Sequence, residues 1–172
     1  KLGAYGFIRL VLPLYPLEAK IFAGALAFLA VAAIVFGAFG SYGQTDFKRL
    51  VAYSSVNHMG FVVLGIAAAG LAAGTPDAHI AMNGAVLQMF NHGLSAAGMF
   101  FLVGVIYERT HTRNLEEFGG LFPLVPIYGG ILIFTSMASL GLPGLNGFVS
   151  EFMVVRGAYP VLTIYTVISM LG

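Results

Sequence analysis

Residues 21–45 read IFAGALAFLAVAAIVFGAFGSYGQT, a stretch with no Asp, Glu, Lys or Arg. A bilayer core about 30 Å thick is crossed by about 20 apolar residues in helical form, so this run is long enough to span it. Working outward, 50–76, 78–107 and 118–150 are equally free of charge, and 157–172 begins another such run. Before residue 21, Lys1 to Leu12 reads as the second half of a helix closed by Pro13 and Pro16, with Glu18 and Lys20 following. The fold class is therefore an all-α, polytopic transmembrane helix bundle of about five spans plus a partial one. Small residues crowd the segment from Ala23 to Gly40, as expected where helices approach closely.

Composition excludes several functions. With 8 Lys+Arg and 7 Asp+Glu in 172 residues, 9% of the chain is charged against about 25% for a soluble domain. The basic residues are too few and scattered for nucleic-acid binding. Zero Cys excludes a disulfide scaffold, a thiolate-held iron–sulfur cluster and a Cys-ligated zinc site. No cofactor is expected in this chain, and any redox centre belongs in another. No targeting segment is expected, and both termini read as cuts through helices, so residues 1–172 are expected to be a single membrane domain of a longer chain.

The run 118–150 is too long for one span and is interrupted by Gly141-Leu142-Pro143-Gly144, with Asn146 and Gly147 behind. Proline removes a backbone donor, and irregular backbone at membrane depth survives only when buried in protein or lining a wet cavity. A discontinuous helix is expected here, of the kind that forms ion sites in transporters. The alternative is a surface turn between two short helices.

Four titratable side chains fall at membrane depth. His58 lies ten residues beyond Lys48, ~15 Å along a helix, and His92 lies ~22 Å and ~24 Å from Asp77 and Glu108. Glu151 follows the break, and Lys1 precedes Pro13 by ~18 Å. Each buried charge costs at least ~2.5–3.5 kcal/mol without a partner, so such residues are functional candidates. Lys1, Tyr5 and Arg9 are spaced to share a face, Ser54 and Ser55 precede His58 by a turn, and Gln88, His92 and Ser95 form another stripe. Polar stripes of this kind can pass a proton between titrating groups. Against this stand duller roles: each histidine bonding a neighbouring backbone carbonyl, Glu151 pairing with Arg156, or a metal held by His58, His92 and Glu151 without any HxxxH spacing to support it.

Four stretches together resemble one family: QTDFKRLVAYSSVNHMG at 44–60, GAVLQMFNHGLS at 84–95, YERTHTR at 107–113 and GLPGLNGFVSEF at 141–152. In this order they closely resemble the antiporter-like M (chain 4 type) subunits of respiratory complex I, the proton-translocating NADH:quinone oxidoreductase. The resemblance implies two inverted five-helix repeats, of which this chain holds mainly the second, each with a broken helix and a central row of Lys, His and Glu. By the resemblance, Lys1 is the central-axis lysine, His58 and His92 the connecting histidines and Glu151 the titrating glutamate of the second broken helix. It further implies a bacterial inner (plasma) membrane, partnership with the other membrane subunits of complex I and the lipid bilayer, and quinone reduction elsewhere. Asn57 and Asn91 depart from the smaller residues common beside these histidines. A sodium/proton antiporter of the Mrp type or a membrane-bound hydrogenase subunit shares the motifs, and a structural membrane scaffold is the reading from a different class.

Lys48, Arg49, Arg109 and Arg113 fall in connections on one side, whereas the opposite connections offer Lys20 and Asp77. By the positive-inside rule, 46–49 and 108–117 face the cytoplasm and 74–79 faces outward. Single cysteines at Gln44, Thr75 and Thr112 test this without native background. Gln44 and Thr112 should label from one side and Thr75 from the other; labelling of all three from the same side contradicts the topology.

Overall fold

A computed structural model describes residues 1–172, and its regular structure is helical throughout, with one isolated β-bridge. Helix α1 runs Leu2–Leu14, followed by α2 (Pro16–Tyr42), α3 (Phe47–Leu71), α4 (Pro76–Thr110), α5 (Pro126–Ser139), α6 (Asn146–Ala158) and α7 (Thr163–Ser169). Of these, α2, α3 and α4 hold 27, 25 and 35 residues and are long and apolar enough to cross a membrane. At 1.5 Å per residue even α3 is ~37 Å long, and α4 at ~52 Å overreaches a hydrocarbon core. Helices α5 and α6, of 14 and 13 residues, are two short pieces on either side of the break, and α1 and α7 are short as well.

Local sequence sets the helix ends. Asp46 caps α3, its Oδ1 accepting the Arg49 N–H at 3.0 Å, and Thr75 caps α4 by accepting the Ala78 N–H at 3.2 Å. Pro16, Pro76 and Pro126 occupy first helical positions, where a missing N–H costs nothing. Within α1, residues Phe7–Val11 form a π-helical stretch. Its inward face is Ala4, Ile8 and Leu12, which join the main core. Lys1, Tyr5 and Arg9 are all exposed, so the expected polar face is not buried in the bundle, and of the three only the Lys1 side chain comes near α4.

The core is built from small side chains. Ala23, Ala27, Ala30, Ala81 and Ala85 are almost fully buried around Ile34, Val62, Leu64 and Val154. Phe28, Phe36, Phe39 and Phe101 point outward, the arrangement of a bundle whose exterior is apolar. Lipid offers no hydrophobic drive for helix association, so close backbone approach supplies the packing contacts. Gly60 of α3 admits α2: a Cβ there would lie 2.6 Å from Ile34 Cγ1 and 2.9 Å from the Ala30 carbonyl. Gly84 of α4 admits α6, where a Cβ would lie 2.7 Å from the Val154 nitrogen.

Both ends of the bundle are defined by connections. At one, the loops between α2 and α3 and after α4 are clasped: the Phe47 N–H donates to the Arg113 carbonyl and the Leu115 N–H to the Thr45 carbonyl, each at 2.8 Å. Arg113 Nε lies 3.4 Å from Asp46 Oδ2 and its guanidinium sits over the Tyr107 ring. The Arg49 N–H, with Arg113 beside it, holds the Asp46 carboxyl below the usual carboxylate range. The 46–49 and 108–117 segments thus share an end. At the other end, α6 finishes against the start of α4, since a Cβ on Gly157 would strike the Ala81 nitrogen and the Asp77 carbonyl. That places Arg156, in the last turn of α6, at this opposite end together with Lys20. The opposite end is therefore richer in basic residues than its loops alone suggest, and the charge bias is narrower.

Gly84→Ala should separate α4 from α6 and lower the thermal midpoint of the full-length subunit in its membrane assembly, by the ~1–3 kcal/mol typical of overpacking. Gly104→Ala, where nothing lies within 4 Å of the added methyl, should leave the midpoint unchanged or raise it. Equal midpoints for the two variants contradict the packing.

Candidate functional site

The site is assembled where the α5–α6 break meets the middles of α3 and α4. After Ser139 the chain turns through Gly141 and Gly144, with φ of +69° and +100°, conformations that favour glycine. The Leu145 N–H closes the turn on the Leu142 carbonyl at 3.0 Å. Gly147 then packs directly on the Ala138 carbonyl, which brings the first turn of α6 back against the last turn of α5. Leu142, Pro143 and Gly144 at the break are exposed, as the surface-turn alternative requires, while Ser150, one turn into α6, is buried against the long helices.

Glu151 stands one turn into α6. Its Oε1 lies 2.7 Å from His58 Nδ1, and the Gln88 amide nitrogen donates to the same oxygen at 2.8 Å. Gln88 Nε2 is also 3.4 Å from His58 Nδ1, so three polar groups from α3, α4 and α6 converge on one point. The second carboxylate oxygen lies 3.3 Å from where a Cβ on Gly141 would stand. Glu151 stands within hydrogen-bond distance of His58, and the alternative pair with Arg156 does not form. His58 is bonded to a carboxylate, where the duller reading had it bonding a neighbouring helix carbonyl.

His92, 5% exposed, lies against His58 with ring centroids 4.9 Å apart and planes inclined by 38°. Lys1 approaches from α1: its Cε and Nζ pass 3.7 and 3.9 Å from the Cβ position of Gly93, the residue after His92. His92, His58 and Glu151 thus follow one another by contact, and the exposed Lys1 stands beside Gly93 at the His92 end. No group of three or more His, Cys, Asp and Glu side chains is placed to hold a metal ion.

Around this row a buried polar network fixes the elements. Asn91 Nδ2 donates to the Asn146 carbonyl at 2.7 Å and to Ser150 Oγ at 3.1 Å, so the first carbonyl of α6 is satisfied by α4. Ser150 in turn donates to Gln88 Oε1. Asn57 Nδ2 donates to the Gly172 carbonyl at 3.1 Å, three residues beyond α7, which holds that segment against α3. The two asparagines that stood out in the sequence are thus helix-to-helix ties. No buried side-chain nitrogen or oxygen lacks a partner. Ser54 and Ser55 both donate to the Val51 carbonyl of their own helix, and neither extends the row toward His58.

A cleft of about 990 Å³ opens from the site toward the end that carries Lys48 and Arg49. His58, Glu151 and Asn57 form its inner wall, and Ser41, Ser54 and Ser139 line it among aromatic and aliphatic side chains. A carboxylate against this cleft, bonded on its other side to an imidazole, can exchange a proton with water in one direction and with a histidine in the other. Gln88 and Ser150 belong to this hydrogen-bonded cluster, and the sequence alone does not place either of them there. Gln88 was grouped with His92 and Ser95 by spacing, and its bond to Glu151 is a tertiary contact across 63 residues.

All 172 residues match the family described as NADH:quinone oxidoreductase/Mrp antiporter, transmembrane. NADH-quinone oxidoreductase subunit M of Pseudomonas aeruginosa is 46% identical over 172 residues, covering 100% of this chain and 32% of that protein. The subunit M of Escherichia coli K12 is 44% identical with the same coverage. A chain of respiratory complex I from Thermus thermophilus, with bound NADH, superposes with a TM-score of 0.90 at 32% identity, over 99% of this chain and 35% of that one. The chain spans about a third of the length of these relatives.

Proposed function

Because the chain belongs to the NADH:quinone oxidoreductase/Mrp antiporter transmembrane family, we propose that it carries part of a proton pathway in a subunit of a quinone-reducing respiratory complex. The observation that carries the proposal is the Glu151–His58 contact of 2.7 Å at the middle of three long apolar helices. Protons move along Lys1, His92, His58 and Glu151, and the cleft behind Glu151 supplies water. Electron transfer to quinone belongs to other subunits, whose coupling reaches this row through charge and hydration. The partners are the other membrane subunits of that complex, in keeping with the names of the relatives, and the site of action is the bacterial inner membrane. The end bearing Lys48, Arg49, Arg109 and Arg113 faces the cytoplasm.

Glu151 is the gate in this reading. Low dielectric favours the protonated carboxyl, while an imidazolium or water beside it favours the carboxylate, so a change in hydration loads and releases one proton. The membrane potential adds ~2.3 kcal/mol per elementary charge per 100 mV for full crossing, comparable to such a change. An Mrp-type sodium/proton antiporter is the second reading, favoured by the family's breadth; sodium dependence of transport separates it.

In the full-length subunit within its complex, Glu151→Gln should lower proton pumping about a hundredfold with assembly intact, the low side of what removing a positioned proton-transfer group takes away. Glu151→Asp should retain part of the rate. Pumping at the parent rate by Glu151→Gln in an intact complex places the gate elsewhere.

A further inference from the structure

Gln88 is 2% exposed and held at both ends of its amide. The nitrogen donates to Glu151 Oε1 at 2.8 Å and the oxygen accepts from the Ser150 hydroxyl at 2.5 Å. A carboxamide has nearly the same shape after a half-turn about its last bond, so its neighbours decide which way it points. An ionised Glu151 is acceptor-only and requires the amide nitrogen to face it. The opposite orientation becomes favourable once Oε1 carries a proton, because the O–H then donates to the amide oxygen.

For that half-turn to cost little, Ser150 must reverse as well, and it is placed to do so. Its one proton has three acceptors in reach: Gln88 Oε1, the Gly147 carbonyl at 3.0 Å and the Asn146 carbonyl at 3.2 Å. With the hydroxyl turned onto Gly147 or Asn146, Ser150 Oγ is free to accept from the rotated Gln88 nitrogen, and it keeps the Asn91 donor at 3.1 Å throughout. Both arrangements leave every polar atom of Gln88 and Ser150 partnered, which matters because an orphaned buried group costs ~1–3 kcal/mol.

We propose that Gln88 and Ser150 form a two-position hydrogen-bond switch that reverses when Glu151 gains or loses a proton. The proposal rests on the reading of Glu151 as a proton carrier and adds a direction to it. When a proton passes from His58 to Glu151, the Nδ1–H bond breaks with its electron pair left on nitrogen, and an O–H bond forms on Oε1. In the original amide orientation Gln88 presents only N–H to Oε1, so the new O–H points back to the imidazole or out to the cleft. After reversal it points to Gln88 Oε1, and Nδ1 stands empty for the next proton. The other titratable groups facing this point are His92 behind His58 and Lys1 beyond it. Gln88 is thus a positioning residue that commits the transfer.

Infrared difference spectra of the full-length subunit in its complex, with carbonyl-labelled glutamine, test the switch across a pH titration and under turnover. A protonated-carboxyl band that Glu151→Gln removes should rise together with a shift of one glutamine amide band. Ser150→Ala, which keeps Gln88 and removes one buried oxygen, should assemble normally, keep the carboxyl band, lose the amide shift and slow pumping about fivefold, the scale of one hydrogen bond. A Glu151 carboxyl band that rises with every glutamine band stationary overturns the switch and leaves Glu151 as the carrier. If Glu151→Gln removes no carboxyl band, the carrier reading falls and the switch with it.

Discussion

A carboxylate halfway along a bundle of apolar helices has to be met by hydrogen-bond donors, and the arrangement of this bundle follows from how Glu151 is met. His58 of α3 and Gln88 of α4 both reach its Oε1. Neither could do so if α6 were a straight continuation of α5. The break supplies the offset: left-handed turns at Gly141 and Gly144 let α6 start afresh, packed on the final carbonyls of α5. The freed backbone is then absorbed locally, with Asn91 taking the Asn146 carbonyl. Desolvation of a charge at this depth is costly enough that an unmet Glu151 would destabilise the whole span.

The close approach of helices that this requires is provided by residue size rather than by hydrophobic drive. Gly60, Gly65, Gly84 and Gly157 each sit where a methyl would strike a neighbouring helix. Alanines fill most of the remaining core. Such packing brings backbones near enough for short polar side chains such as Ser150 and Asn91 to bridge them. A core of large aliphatic side chains would have held the helices too far apart for these bonds, which is why the 15 Phe of the chain lie largely on the exterior or line the cleft.

Most of the spans were legible because charge-free runs and prolines are one-dimensional signals. The runs 21–45 and 50–76 map onto α2 and α3, and the Gly141–Gly147 interruption maps onto the gap before α6 and its first turn. His58, His92 and Glu151 were legible as ionisable residues far from any loop. Their partners were not. Nothing in spacing says that Gln88 reaches across to Glu151, because the contact depends on the crossing of α4 and α6, set by Gly84. Helical periodicity also misled at Lys1, Tyr5 and Arg9, since the π-helical stretch and the packing of Ala4, Ile8 and Leu12 decide which face of α1 turns inward. Basic residues inside helices were undercounted for the same reason, as Arg156 shows.

The central claim is that the two adjoining histidines beside Glu151 hand on protons and do not serve as metal ligands. Proton transfer in sealed vesicles holding the intact complex measures this directly, comparing His58→Ala combined with His92→Ala in the full-length subunit against the parent treated with a chelator. The account predicts markedly slowed transfer in the assembled double variant and an unchanged rate in the chelated parent. A parent rate in the double variant, or a loss on chelation restored by added metal, would contradict it.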